Sequence, residues 1–251
     1  MKPLLIIDPG HGGTDPGGGS SEYFEEKVLV LEISRYQAER FKQLGLSVAL
    51  TREKDEYLDS GNRTAKVRNS GAMYCISNHI NAADNPSARG VETIHSLRND
   101  SKLATAIFRA IVDEGMTARR VFTRALPSGK DYYFMHRETG SVTTIIVEYG
   151  FATNDEDAKL LVKHWRDYAE AVVRAFCAHI DHPYNPPAQP QEVKELPNIQ
   201  QEIGVEVDGK DAGSGYLIGA VSYIPARVVA EQLGAAVSWD GKSVIINKEL
   251  K

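Results

Sequence analysis

The chain opens with a short apolar run that ends in a glycine-rich turn. Residues 4–7 read Leu-Leu-Ile-Ile, residues 8–10 read Asp-Pro-Gly, and His11 follows between glycines. Four consecutive apolar residues predict a strand buried on both faces, as in a parallel sheet covered by helices. Because open α/β sheets bind ligands just beyond the carboxyl ends of their strands, His11 stands where a metal ion could bind. His11 by itself leaves a simple turn open as the alternative.

The next 170 or so residues alternate predicted helices and strands. Apolar residues at helical spacing predict a helix that starts near Val28 and stops at Gly45, with Val28, Leu29, Leu31, Ile33, Ala38 and Phe41 on its buried face. We expect further strands over residues 47–50, 73–78, 90–96 and 142–147, and further helices over 63–69, 101–114 and 154–179. Residues 115–131 show no clear period. The order β-α-β-α-β at the start predicts an α/β fold.

Five prolines between residues 182 and 198 predict an extended linker. We therefore expect three parts: a catalytic domain over 1–181, the linker over 182–198, and a small α+β domain over 199–251. In the last part, short strands are predicted at 203–207, 216–218 and 222–224, and a helix over 227–233 that Pro225 opens. Asp240-Gly241 predicts the turn of a closing hairpin.

Composition excludes several classes of partner. The net charge of -5, the pI near 5.8 and the lack of basic runs predict that neither nucleic acid nor an anionic membrane is bound. No leader peptide or membrane-spanning run is evident, so we expect synthesis in the cytoplasm without a signal peptide. Cys75 and Cys177 fit neither a disulfide framework nor a metal motif, and are predicted to be buried thiols.

Three side chains suited to a metal ion fall at comparable positions in the predicted topology. His11 follows the first strand, Glu26 begins the first helix, and His79 ends the third strand. Two imidazoles and one carboxylate are a ligand set of catalytic zinc, which keeps a fourth position open. Glu148 stands at the end of the last strand of this part. Spacing alone does not show that the four side chains meet.

Six blocks of sequence carry a resemblance to a known family. The blocks, in chain order, are residues 8–13, 26–27, 51–52, 77–81, 90–93 and 147–154. Together they resemble the zinc-dependent N-acetylmuramoyl-L-alanine amidases of the type 3 family, over about residues 2–180. The resemblance implies a mixed, mostly parallel sheet flanked by helices, and hydrolysis of the amide between N-acetylmuramic acid and L-alanine in peptidoglycan.

The same resemblance implies roles for individual residues. His11, Glu26 and His79 are expected to bind Zn²⁺, and Glu148 is expected to be the catalytic carboxylate that takes a proton and returns it to the leaving amine. A salt-bridged carboxylate at a strand end is the alternative for Glu148. Glu25 is the rival of Glu26, and because neighbouring helical residues diverge by about 100°, both cannot face one ion.

Most of the other candidate residues are expected to have structural roles. Arg63 is expected to form a structural salt bridge, while His136 could approach the substrate and otherwise serves packing. The remaining histidines, His95, His164, His179 and His182, are expected to be surface or packing residues.

The C-terminal part has a second resemblance. Residues 223–227, 233–235 and 237–242 resemble the small domain named after the N-terminal region of copper amine oxidases, which is attached to bacterial wall and surface proteins. No His or Cys follows His182, so copper binding is not expected. We expect this domain to bind a cell wall polymer, and a homodimer through a free strand edge is one arrangement it would allow.

These features predict a peptidoglycan amidase that acts on the cell wall as a phage or prophage endolysin. The absence of a leader favours that reading over an exported host autolysin, although a removed leader would leave the same sequence. The alternatives are a zinc peptidase of the stem peptide and an inactive wall-binding protein with an amidase-like fold.

Overall fold

The structure is a computed structural model, and it describes residues 2–187, 199–218, 221–224, 226–239 and 244–248. The chain divides into two compact units, Met1–Pro187 and Ala188–Lys251. Most of the predicted linker, Pro225 and the Asp240-Gly241 turn lie outside the described residues. No described helix has both the length and the apolar character needed to cross a membrane.

The first unit alternates strands and helices along most of its length. Its strands are β1 (Leu5–Pro9), β2 (Val48–Leu50), β3 (Tyr74–Asn81), β4 (Val91–His95), β5 (Ala118–Phe122) and β6 (Thr143–Phe151). Its helices are α1 (Glu26–Gln43), α2 (Ser60–Asn69), α3 (Lys102–Asp113), α4 (Phe134–Arg137) and α5 (Asp155–His179).

The six strands form one sheet in the order β2-β1-β3-β6-β4-β5. Neighbouring strands run parallel except β4 and β6, which pair antiparallel. The predicted mixed, mostly parallel sheet flanked by helices is therefore confirmed. Because β1, β3 and β6 are parallel neighbours, their carboxyl ends lie at one edge of the sheet, which is where the candidate site is found.

Helices cover both faces of this sheet. The larger core packs α1, α3 and α5 against one face, and a smaller core packs α2 and α4 against the other. Burial on two faces explains the apolar runs of the central strands. Asn154 caps α5 as the sequence predicts, since its side chain accepts a hydrogen bond from the Asp157 N–H at 3.1 Å.

Several predicted details differ from the structure. Val28, predicted on the buried face of α1, is 48% exposed, whereas Val30 is fully buried. The two residues lie about 200° apart around the helix, so they cannot share a face. Strand β5 and the single turn of α4 were not predicted. Strands β3 and β6 continue past His79 and Glu148, so both side chains belong to the strands themselves.

The second unit contains short antiparallel sheets and one helix. A three-stranded sheet comprises β7 (Ile199–Val207), β8 (Lys210–Ile218) and β9 (Val221–Tyr223); α6 (Ala226–Gln232) follows, and β10 (Ala235–Trp239) pairs with β11 (Val244–Lys248). The predicted small α+β character is confirmed for the described residues.

Residues 182–187, predicted as the start of the linker, contact the first unit. The Tyr184 hydroxyl donates to Glu170 at 2.8 Å, and Arg40 donates to the Asn185 carbonyl at 2.8 Å. His182 Nε2 lies 2.8 Å from the Leu44 carbonyl oxygen. These contacts extend the first unit beyond the end of α5.

Candidate metal centre

Two imidazoles and one carboxylate converge at the carboxyl edge of the sheet. His11 Nε2 and His79 Nδ1 each lie 3.2 Å from Glu26 Oε1. One candidate ligand atom from each of the three residues lies within 4.8 Å of the other two. The loop after β1, the first turn of α1 and the strand β3 each supply one of them. The donor set therefore fits a small cation such as zinc.

Neighbouring groups hold these side chains in place. Asp15 Oδ2 lies 2.9 Å from His11 Nδ1, which leaves His11 Nε2 free to face the other two residues. The carboxylate of Glu26 accepts backbone N–H bonds from Gly19 at 2.7 Å and Ile80 at 2.9 Å. A carboxylate behind a histidine and hydrogen bonds behind a carboxylate are the usual support of metal ligands.

The protonation of the cluster follows from its mutual contacts. Burial alone would lower the pKa of His11, but the hydrogen bonds and charges of Glu26 and Asp15 outweigh it and raise that pKa to about 9. Burial would likewise raise the pKa of Glu26, yet the two imidazoles hold it well below its usual range. Without a metal, His11 therefore keeps a proton at neutral pH, and its positive charge takes the place of the charge that a bound cation would supply.

A left-handed backbone and two buried arginines shape the loop that carries His11. His11 has φ +56°, a conformation that is uncommon outside glycine. Arg52 donates to the carbonyls of Pro9 at 3.1 Å and Gly10 at 2.8 Å. Arg63 donates to the carbonyls of Pro9 at 2.7 Å and His11 at 2.8 Å. These bonds offset the cost of the strained loop and fix the direction of His11.

Arg63 also forms the structural salt bridge that is predicted from the sequence. Its guanidinium donates to the fully buried Asp8 at 2.7 Å, and Thr51 and Ser77 donate hydroxyls to the same carboxylate. Burial would raise the pKa of Asp8, but the charge of Arg63 and these hydroxyls hold it below its usual range. Asp8 therefore remains a charged anchor beneath the loop.

Gly10 is required by the close approach of His79. A Cβ atom at position 10 would lie 2.2 Å from Cε1 of the His79 ring. The ring is packed directly against the backbone, so any side chain at position 10 would displace it.

Glu148 lies beside the cluster in a different environment. In the parallel pairing of β3 with β6, Glu148 is the register partner of His79, so both side chains are on the same face. Its Oε2 is buried and has no hydrogen-bond partner among the residues that the structure describes. Burial raises the pKa of Glu148 to about 7; nearby Glu26 and Glu92 contribute to the rise, and His79 opposes it. A carboxyl with a pKa near neutrality is suited to accept and return a proton.

A cleft of about 420 Å³ opens over these residues. His11, His79 and Glu148 line it together with two walls, residues 57–60 and residues 133–135. Tyr57 and Tyr133 contribute one aromatic side chain to each of these two walls. His11 and His79 of the metal-competent cluster thus share one cleft, with partly apolar walls, with the carboxylate of Glu148.

The structure separates the rival candidates. Glu25 is exposed at the N-cap of α1, whereas Glu26 is 1% exposed and faces both histidines. His136 is buried on α4 and is absent from the described cleft lining, although Tyr133, Phe134 and Met135 before it line the wall. Burial lowers the pKa of His136 to about 4, so it is a neutral packing residue. Cys75 and Cys177 are free and buried, as predicted.

Asp15 and Glu92 were not singled out by the sequence analysis. Asp15 follows His11 by four residues in the same loop, and this short spacing is the feature of the sequence that could have indicated a contact between them. Glu92 is the register partner of Glu148 across β4 and β6, a relation that only strand pairing reveals.

A family model described as N-acetylmuramoyl-L-alanine amidase (Amidase_3) matches residues 5–181. The match covers more than half of the chain and includes every candidate site residue. It ends before the second unit.

Individual relatives agree with this match. The N-acetylmuramoyl-L-alanine amidase AmiC of Neisseria meningitidis serogroup B is 42% identical over 89 residues, which are 36% of this chain and 21% of that protein. The probable cell wall amidase LytH of Staphylococcus aureus is 27% identical over 159 residues, which are 62% of this chain and 50% of that protein. The chain thus spans half or less of the length of these two relatives.

A solved structure shows the same fold. The N-acetylmuramoyl-L-alanine amidase AmiC2 of Nostoc punctiforme superposes with a TM-score of 0.63 at 28% identity. The superposition covers 72% of this chain and 98% of that chain.

Proposed function

This chain belongs to the Amidase_3 family of N-acetylmuramoyl-L-alanine amidases, and from that premise we propose that it hydrolyses the amide between N-acetylmuramic acid and L-alanine in peptidoglycan, with zinc as its cofactor. One observation carries the proposal: His11 and His79, which converge with the buried Glu26, line the same cleft as the carboxylate of Glu148. A cation site beside a carboxyl with a pKa near 7 is what metal-assisted amide hydrolysis requires.

Zinc fits the donor set by its chemistry. Two imidazoles and one carboxylate leave a coordination position for water or substrate, which is the pattern of catalytic rather than structural zinc. A zinc ion held there would polarise the carbonyl of the amide and lower the pKa of water.

The residues of the chain supply the remaining steps. Glu148, ionised above a pKa of about 7, accepts a proton from the attacking water, and the same carboxyl then delivers it to the nitrogen of the leaving L-alanine. Asp15 fixes His11 with Nε2 facing the cluster, and the N–H groups of Gly19 and Ile80 hold Glu26. The cleft walls at residues 57–60 and 133–135 position the substrate above these groups.

Digestion of purified cell walls tests this function. We expect new free amino ends that belong to L-alanine, no new reducing sugar ends, and loss of activity in a chelator that added zinc restores. New amino ends on other residues of the stem peptide would instead identify a zinc peptidase. Intact walls after digestion would favour a binding protein without activity.

We further propose that the second unit binds a cell wall polymer. Its described residues expose Ile224, Leu233 and Ile246 around an apolar groove of about 300 Å³, a surface that another molecule can cover. A chain ending at residue 187 should then keep its activity on a soluble muropeptide but lyse intact walls about tenfold more slowly, because tethering raises the local enzyme concentration. Equal lysis by both chains would contradict the targeting role.

Other expectations stay predictions: the role in phage lysis, synthesis in the cytoplasm, the likeness of the second unit to the copper amine oxidase domain, and a homodimer through that unit. Sedimentation of the full chain over a range of concentrations tests the homodimer. Expression in bacterial cells with and without a membrane-permeabilising protein tests the lysis role, because an endolysin should act only when the membrane is opened.

A further inference from the structure

A row of charged residues crosses four neighbouring strands beside the catalytic cleft. His79 on β3 pairs in register with Glu148 on β6, Glu148 pairs with Glu92 on β4, and Glu92 pairs with Arg120 on β5. Residues in register on adjacent strands project from the same face. Since strands lie about 4.8 Å apart, the backbone of Arg120 lies about 10 Å from that of Glu148 along this row.

A β-bulge brings a second arginine into the row. The pairing of β4 with β5 steps from Val91 with Ala118 to Glu92 with Arg120, so Arg119 is the extra residue. Both arginines consequently reach one oxygen of Glu92: Arg119 Nε donates to Oε1 at 2.7 Å and Arg120 Nε at 2.8 Å. Asn81 donates to the other oxygen at 3.0 Å.

The two arginines supply more positive charge than Glu92 balances. One guanidinium suffices to neutralise this buried carboxylate, so the second leaves a surplus charge of one unit. Within residues 2–187, no protein group bonds to the Nη atoms of Arg120, whose side chain is 54% exposed and stacks on the Phe122 ring at 4.1 Å. Because Arg120 uses Nε for Glu92, its Nη edge stays available for bidentate binding of another carboxylate.

If the ligand is anionic, the side of the cleft next to Arg119 and Arg120 needs a positive charge to attract it. Asp15, Asp59 and Glu148 line the cleft and would repel an anion, while the charge of Arg63, which also lines it, is paired with the buried Asp8. Arg124, two residues after β5, adds a further cation; its guanidinium lies 3.7 Å from the centre of the Tyr132 ring and enters no ion pair among the described residues. The positive groups are thus gathered on β5 and the residues after it, on the side of Glu148 away from the metal cluster.

We propose that Arg119 and Arg120 form a carboxylate-binding subsite for the peptide part of the substrate. The proposal rests on the amidase function above and names the substrate group that this side of the site recognises. An extended peptide advances about 3.3–3.6 Å per residue, so the 10 Å row corresponds to two or three residues beyond the amide that is cut. The ligand is a carboxylate carried by one of those residues, and a carboxamide in its place removes the charge-assisted bond.

Matched substrates test the subsite. N-acetylmuramoyl tetrapeptides are prepared in which the carboxylate of the second residue, the third residue or both is converted to a carboxamide. For the wild-type protein, amidation at the recognised position should lower kcat/KM by about 10- to 100-fold. Arg120→Gln should lower kcat/KM on the free acid by a similar factor and cause little further loss on the amidated substrate, because both changes remove the same interaction.

Two further variants keep the test decisive. Arg120→Lys retains a positive charge beside Glu92 but lacks the bidentate edge, so its kcat/KM on the free acid should fall between the wild-type and Arg120→Gln values. Arg109→Gln removes an exposed arginine on α3 and should leave both substrates unaffected. Circular dichroism and bound metal confirm that each variant is folded.

The outcomes are separable. Equal losses for Arg120→Gln on acid and amidated substrates, or no loss on either, would overturn the subsite while the amidase function stands. A wild-type protein that releases no L-alanine amino end from any of the substrates would overturn the proposed function and the subsite with it.

Discussion

The two sides of the cleft place the same residue type in opposite environments. On the metal side, the carboxylate of Glu26 receives two backbone N–H bonds and faces two imidazoles, which hold its pKa well below the usual range. On the other side, no described residue bonds to Oε2 of Glu148, and burial raises the pKa of this carboxyl to about 7. Burial by itself would raise the pKa of both carboxyls, so hydrogen bonding and charge distinguish them.

This difference separates binding from proton transfer. A carboxylate that is ionised and fixed can hold a cation, whereas one that is poorly solvated can gain and lose a proton near neutral pH. Amide hydrolysis needs both functions, and in the proposed function they fall to different glutamates.

The largest expected effect comes from Glu148→Gln. Because the amide cannot accept the proton, turnover should fall by about 10²- to 10⁴-fold while bound metal and fold are retained. Turnover of muropeptide and metal content are measured on the same preparation, with Glu138→Gln, at a partly exposed glutamate that does not line the cleft, as the control. Near-normal turnover would mean that another group takes the proton.

His79→Ala tests the metal side. With two ligands left, zinc affinity should fall by roughly 10²- to 10³-fold, since the total binding free energy of a zinc site is shared among few ligands. Competition with a chelator of known affinity measures the change. His164→Ala on α5 should bind zinc as the wild type does, and unchanged affinity in His79→Ala would remove His79 from the ligand set.

Asp15→Asn probes the support of His11 rather than a ligand. Loss of the charge behind the imidazole should lower zinc affinity by about 10- to 100-fold, as for other groups that orient metal ligands. The same chelator competition applies, with Asp84→Asn, at an exposed aspartate, as the control. An effect as large as that of His79→Ala would instead indicate that Asp15 binds the metal directly.

The smallest effect is the pH dependence of zinc binding. At pH 7 a His11 with a pKa of about 9 carries a proton that the metal must displace, so binding should release about one proton. Affinity should rise by up to about tenfold per pH unit and level off near pH 9, where His11 loses its proton without the metal. Calorimetry in buffers of different ionisation enthalpy measures the release.

Running that calorimetry in the Glu148→Gln variant removes Glu148, whose pKa is about 7, as a source of protons, so the signal then reports His11. Binding without proton release in that variant would show that the metal-free cluster does not hold a proton on His11.

Much of the fold could be predicted because its central strands are buried on both faces. Apolar runs identified β1, β3 and β6, and helical spacing identified α1, α3 and α5. Strand β5 escaped prediction because residues 118–120 at the sheet edge are exposed and include two arginines, so neither alternation nor an apolar run marks it. Helix α4 has four residues, which is too short for a helical period.

The candidate residues of the site could also be predicted from the sequence. The motif blocks identified His11, Glu26, His79 and Glu148, since each lies in a short stretch with a distinctive pattern. The sequence by itself determined these residue types and the strands and helices that carry them, because those depend on local composition and period.

Only the tertiary structure decided which groups meet. Loop direction determines that Glu26, and not Glu25, faces the histidines, and that Asp15 supports His11. Strand register determines the row that runs from His79 through Glu148 and Glu92 to Arg120. Register is set by packing between segments far apart in the chain, and burial sets the pKa of Glu148. Neither is encoded in the spacing of residues along one segment.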